Sequence, residues 1–240
     1  MQAFERIIPA LDKPSLEEGL ASAKALVGRV GPFKAGMELV NAAGAPTLIR
    51  SLKELKADVF LDEKFHDIPT TVGNTAAVML NLGVWMFNVH ASGGLEMMKR
   101  AVAAAKGKCK VFAVTVLTSM DDRDCEEVYG AAVMPTVRKF ALFAKKAGVD
   151  GIICAPWEVP ALKAEPDLVG LQYITPSIRP TWYETNDQKR AATPREAIQM
   201  GADYLVIGRP LLQPPAAIGS PLDALKLIVE EVEQALSGRK

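Results

Sequence analysis

Residues Asp62-Glu63-Lys64-Phe65-His66-Asp67-Ile68-Pro69 gather ionisable side chains directly behind the apolar run Val59-Phe60-Leu61. Side chains alternate along a strand, so Asp62 and Lys64 share one face, with α-carbons roughly 6.5 Å apart. If that face is the inside of a barrel, opposite charges are confined where burial is costly, and such an arrangement needs a chemical reason. An ammonium fixed there can stabilise negative charge as it develops on a bound molecule. Asp67 follows just after the strand, and Pro69 lacks a backbone donor, so pairing should stop there.

The elements that would hold these groups alternate along the whole chain. Short apolar runs suited to strands occupy 7–11, 30–35, 58–61, 84–89, 110–116, 151–154, 168–174 and 204–207. Helical patterns lie between them, among others at 15–26, 70–82, 95–106 and 133–147. Leu222, Leu225, Val229, Val232 and Leu236 mark one face of a last helix. Eight strand–helix units favour a parallel sheet covered by helices. At 240 residues a single α/β domain over 1–240, a (β/α)8 TIM barrel, fits better than an open doubly wound sheet. Pro9 fits poorly, because a closed barrel has no edge where a missing donor is harmless.

Polar residues collect at one end of these strands. Asp12 follows the first, Lys34 lies near the end of the second, and Asp62 and Lys64 end the third. His90 follows the fourth, Thr118 and Ser119 the fifth, Ser177 and Arg179 the seventh, and Gly208 and Arg209 the eighth. In a β/α barrel those ends converge on one face, where active sites of this fold are built, and the loops after strands seven and eight commonly bind phosphate. Arg179, Gln188 and Arg209 suit phosphate oxygens, and Gly208 allows close approach of a backbone amide. A phosphorylated small molecule is the expected ligand. The polar connection from Ser177 to Arg190 is long enough to close over it.

Lys plus Arg number 28 and Asp plus Glu number 28, with no basic block, so the electrostatic footprint of a nucleic-acid binder is missing. No segment reaches membrane-spanning length, and the N-terminal apolar stretch is short and ends at Asp12, so a cytoplasmic protein is expected. Cys109, Cys125 and Cys154 are odd in number and outside any metal-ligand pattern, as reduced thiols would be. His66 and His90 belong to no metal-binding cluster, and His90 reads as a structural hydrogen-bonding residue.

The ordered set of motifs resembles the orotidine 5'-phosphate decarboxylase family, in particular its bacterial branch. The matching elements are Ala10-Leu11-Asp12, Lys34-Ala35-Gly36, Asp62 to Thr71, and Asn88-Val89-His90-Ala91-Ser92-Gly93-Gly94. They continue with Val116-Leu117-Thr118-Ser119, Thr175-Pro176-Ser177-Ile178-Arg179-Pro180, Asp187-Gln188-Lys189-Arg190 and Ile207-Gly208-Arg209-Pro210. The resemblance implies decarboxylation of orotidine 5'-monophosphate (OMP) to uridine 5'-monophosphate (UMP), the last step of UMP biosynthesis, with no metal or organic cofactor. It implies that Lys64 protonates C6 of the pyrimidine within a network of Lys34, Asp62, Lys64 and Asp67. Asp67 would reach the site of a second subunit, which implies a homodimer. Asp12 and Thr71 would contact ribose hydroxyls, Thr118 and Ser119 would face the pyrimidine, and Arg179, Gln188 and Arg209 would clamp the phosphate.

Three positions depart from the family pattern. Glu63 stands where an apolar residue is usual, and Ser177 and Asn186 where glycine is usual. By alternation Glu63 faces the helix layer, so it should affect packing more than chemistry. Two other readings share the motifs. One is a metal-dependent sugar-phosphate decarboxylase or aldolase of the same superfamily, with an acidic residue in place of Lys34. The other is a catalytically silent nucleotide-binding barrel.

Overall fold

The computed structural model describes residues 1–184 and 191–238. Eight parallel strands run in order around a barrel: β1 (Ile7–Pro9), β2 (Phe33–Gly36), β3 (Val59–Phe65), β4 (Met86–His90), β5 (Lys110–Val114), β6 (Gly151–Ile153), β7 (Gln172–Thr175) and β8 (Tyr204–Ile207). Regular ladders join every neighbouring pair from β2 round to β8, and β8 to β1. The circle closes between β1 and β2 through an isolated bridge, Ala10 with Lys34, where the Leu11 amide donates to the Lys34 carbonyl at 2.9 Å.

That seam resolves the position of Pro9. The Ala10 amide donates to Ile207 on β8, whereas the Leu11 amide donates to β2. Donors alternate sides along a strand, so the donor Pro9 lacks would have faced β2, across the one junction that has no continuous ladder. The chain loses nothing there that the barrel uses.

Inside the barrel Ile8, Ala10, Phe60, Met86, Phe112, Ile174, Tyr204 and Val206 form a compact apolar core. A larger core lies between the strands and the surrounding helices. The N-terminal end is plugged by Lys110, whose Nζ donates to Gln172 Oε1 at 2.9 Å and to the Tyr204 hydroxyl at 3.3 Å, and lies 4.8 Å from the Trp85 ring centre. With one end filled, the opening is left at the C-terminal ends of the strands.

The helices follow from recognisable signals. Ser15 caps Leu16–Leu26 and Ser220 caps Pro221–Ser237 by accepting from backbone amides three residues on. Pro69 begins Pro69–Leu82 at the first turn, where its missing donor is harmless, and Gly83 ends it in the left-handed conformation. One element differs from the periodicity. Leu168 closes a short 3-10 turn, Pro166–Leu168, and β7 begins only at Gln172 because Gly170, at φ +90°, turns the chain between them. Strand β3 runs from Val59 through Asp62 and Lys64 to Phe65, past the apolar run that ends at Leu61 and with the two charged residues at its end as expected. Residues 185–190, which include Asn186 and Gln188, lie outside the described residues.

Candidate active site

The continuation of β3 is irregular, and the irregularity presents Lys64. Leu61 pairs with Phe87 and Phe65 with Val89, so four steps along β3 face two along β4. Within this bulge Lys64 has φ +53°, a conformation that costs a side-chain-bearing residue roughly 1–2 kcal/mol. Its amide, which has left the ladder, donates instead to Asn88 Oδ1 at 2.8 Å. Bulges re-aim side chains, and strain of this kind persists only where the surroundings over-determine it.

Around Lys64 the charges form a chain of alternating sign. Lys64 Nζ donates to Asp62 Oδ1 at 2.7 Å, Lys34 Nζ lies 3.0 Å from Asp62 Oδ2, and Lys34 also reaches Asp12 Oδ1 at 3.1 Å. Asn88, fully buried on β4, donates to Asp62 Oδ1 at 2.6 Å. Burial alone would push the Asp62 carboxyl up. The two lysines and the hydrogen bonds from Lys64 and Asn88 outweigh burial and hold it below its usual range. Burial likewise opposes the Lys34 ammonium, but Asp62 and Asp12 overcome it, so its pKa rises. Gly36 makes this packing possible: a Cβ there would sit 2.7 Å from Lys34 Nζ and 2.8 Å from Asp12 Oδ1.

Two adjoining cavities open over the network. One, of about 360 Å³, is lined by Lys34, Phe60, Asp62, Lys64, Thr118 and apolar side chains of β5, β6 and β8. The other, of about 530 Å³, is lined by Asp12, Lys13, Ser177, Arg179, Gly208 and Arg209 among others. Lys34, Pro176 and Val206 line both, so the two are halves of one depression. The first half suits a flat, mostly apolar ring with polar edges. The second carries guanidinium groups suited to an anion. Arg179 is buried, with Nη1 donating to the Ile178 carbonyl at 2.9 Å, while Arg209 is exposed at the rim.

The expected residues divide into three groups. Asp12, Lys34, Asp62, Lys64, Thr118, Arg179, Gly208 and Arg209 converge on the double cavity. Ser119 is exposed beside Thr118 and lines neither half. Asp67 and Thr71 are exposed and line a third depression with Glu63, Lys64, His66 and Thr75, which meets the double cavity only at Lys64. Asp67 accepts from the Ile68 amide at 2.6 Å rather than joining Lys64 within its own chain. Glu63 is half-buried beside the helix Pro69–Leu82, as alternation implied, and burial raises its pKa. Gln188 lies outside the described residues.

Next to the bulge, Ser92 Oγ and His90 Nδ1 are 2.6 Å apart, and the His66 ring lies 5.6 Å from that of His90. Burial first, then His66 and Lys64, lower the His90 pKa to about 4, so its ring is neutral at neutral pH. Asn88 was the residue whose role the motifs alone did not reveal. The visible signal was a lone amide within the otherwise apolar run Met86-Phe87-Asn88-Val89.

The fold and the depression at its open end define a β/α-barrel protein with a lysine–carboxylate network beside an arginine-bearing wall. Residues 5–217 match the model of the "Orotidine 5'-phosphate decarboxylase / HUMPS family", and the chain belongs to that family. It is 44% identical to an orotidine 5'-phosphate decarboxylase of Syntrophomonas wolfei subsp. wolfei, over 98% of this chain and 100% of the relative. Identity is 46% to that of Dichelobacter nodosus, over 93% of this chain and 96% of the relative. Among solved structures, orotidine 5'-phosphate decarboxylase from Lactobacillus acidophilus superposes with a TM-score of 0.79 at 34% identity, covering 95% and 99% of the two chains. No helix among the described residues is long and apolar enough to cross a membrane.

Proposed function

We propose that this protein decarboxylates OMP to UMP, the last step of UMP biosynthesis, using its own side chains without a metal or organic cofactor. The observation that carries the reading is the Lys34–Asp62–Lys64 network facing an apolar cavity that continues into an arginine-bearing one. The pyrimidine would occupy the half beside Lys64 and Thr118. The phosphate would face Arg179, Arg209 and the Gly208 backbone, with Gln188 as a further contact. Asp12 would meet the ribose.

Each residue then has a physical task. Loss of carbon dioxide leaves an electron pair on C6 with no conventional electron sink. The Lys64 ammonium, already in place, stabilises that charge as it forms and delivers a proton to the same carbon. Asp62 orients Lys64 through their 2.7 Å contact, and Lys34 keeps Asp62 ionised against burial. Enzymes lower barriers by roughly 8–23 kcal/mol, and this reaction needs the upper end of that range. One lysine is insufficient alone, so binding energy from the remote phosphate must help to hold the charges in register.

Lys34 argues against a metal-dependent sugar-phosphate reaction here. Its ammonium lies between Asp12 and Asp62, at 3.1 and 3.0 Å, and fills with positive charge the place where a carboxylate would be needed to help hold a divalent cation. A silent nucleotide-binding barrel would have no use for this costly network, because phosphate binding does not require it.

The protein is further proposed to act as a cytoplasmic homodimer with shared sites. Asp67 and Thr71 are exposed and line neither half of their own chain's double cavity, and Ile68 beside them is an apolar side chain, 66% exposed, that a second copy would cover. The direct test follows OMP by its ultraviolet absorbance with purified protein in excess chelator. Steady loss of OMP with formation of UMP is expected. Activity that disappears and returns only with magnesium would move the assignment to the metal-dependent class.

A further inference from the structure

Ser177 combines features that the decarboxylase reading leaves unused. It is a buried residue in the left-handed conformation, at φ +64°, immediately after β7. A residue with a Cβ is strained there and glycine is not, so a side chain at this position works against local stability. The side chain has a specific contact: Ser177 Oγ donates to Thr118 Oγ1 at 3.4 Å, across 59 positions of sequence. Thr118 lines the ring-side half of the depression and Ser177 the anion-side half. The backbone of Ser177 is also engaged, its carbonyl accepting from the Ala192 amide at 3.3 Å while Ile178 bridges to Ala192.

We infer that the Ser177 hydroxyl is a positioning group, which ties the turn after β5 to the turn after β7 and keeps the two halves of the site in one geometry. It acts on the substrate through Thr118 and the anion-side wall rather than by contact with the reacting atoms. This inference rests on the proposed decarboxylase activity. The strain at Ser177 is the observation that separates it from ordinary packing, because the contact is kept in spite of a backbone better suited to glycine.

The test uses Ser177→Gly, Ser177→Ala, Thr118→Val and the double variant Ser177→Ala/Thr118→Val. Losing one neutral hydrogen bond should lower kcat/KM about fivefold in both Ser177 variants. Ser177→Gly should nevertheless melt at or above the wild-type temperature, because it also removes the strain. The double variant should fall no further than Thr118→Val alone, since the two hydroxyls act as a unit. A purely structural role predicts that activity follows stability, so a Ser177→Gly protein as active as the wild type would overturn the inference, as would additive losses in the double variant. Wild type inactive on OMP would overturn the functional reading instead. The same cycle measured on UMP affinity then reads the coupling independently of turnover, with additivity again refuting it.

Discussion

Replacing Lys64 should separate chemistry from folding, because its geometry assigns different magnitudes to the two. In Lys64→Ala, Asp62 keeps Lys34 at 3.0 Å and the Asn88 amide at 2.6 Å, so no buried carboxylate is left without a partner. The lost contact involves a lysine whose side chain is 29% exposed, and pairs with that much solvent contribute about 1 kcal/mol or less. Lys64→Gly also removes the strain of φ +53°, worth roughly 1–2 kcal/mol, and should be at least as stable as the wild type. Turnover behaves differently. A unit charge about 4 Å from developing negative charge is worth about 4 kcal/mol at an effective dielectric of about 20, or roughly three powers of ten. A positioned proton donor contributes a further factor of about 10²–10⁴. Both variants should therefore lose roughly five to seven powers of ten in kcat, followed by OMP absorbance, with UMP affinity changed only a few-fold by calorimetry. A loss below about a hundredfold, or affinity falling in parallel with turnover, would refute the assignment of Lys64 as the acid.

The remaining expectations concern its neighbours. Asp62→Asn removes the buried one of the two counter-charges of Lys34, leaving the half-exposed Asp12 at 3.1 Å, and should destabilise the fold by up to about 3 kcal/mol in denaturant unfolding, more than Lys64→Gly. His90 has a folded pKa of about 4 against 6.5 for the free side chain, so the unfolded chain binds more protons between those values and stability should fall as pH drops through that window. Melting temperatures of His90→Asn across pH 4–6.5 should show a shallower slope than wild type, and an unchanged slope would show that His90 is not the group responsible. If Asp67 serves the partner's site, mixing inactive Lys64→Ala and Asp67→Ala chains should restore about a quarter of wild-type activity, since half of the randomly formed dimers carry one intact site. Mixtures that stay inactive after verified subunit exchange would place Asp67 elsewhere.

Much of the arrangement was legible in residue order. Alternating apolar runs and helical patterns outlined eight strand–helix units, and the polar residues following those runs identified the open end of the barrel. Asp12, Lys34, Asp62, Lys64, Arg179 and Arg209 meet there because strand ends in this fold converge whatever their separation in sequence. Less legible were features that depend on neighbours. The periodicity of 168–174 suggested one strand, but Gly170 divides it, and the true start of β7 is set by pairing with β6 from Gln172 onward. Ser119 stands next to a cavity residue in sequence yet is exposed, because the turn after β5 directs successive side chains differently.

The sequence by itself determined which residues could be buried, which faces were apolar, and that opposite charges would stand at the end of the third strand. Those are properties of side-chain type and of the two-residue strand period. Only the tertiary structure decided how those charges are aimed. The two extra residues of β3 against β4, the left-handed turn at Lys64 and the Asn88 amide that receives its N–H all depend on a neighbouring strand. The harmless placement of Pro9 depends likewise on where the barrel closes. Register and closure are set by pairing between segments far apart in the chain, and no local pattern of residues carries that information.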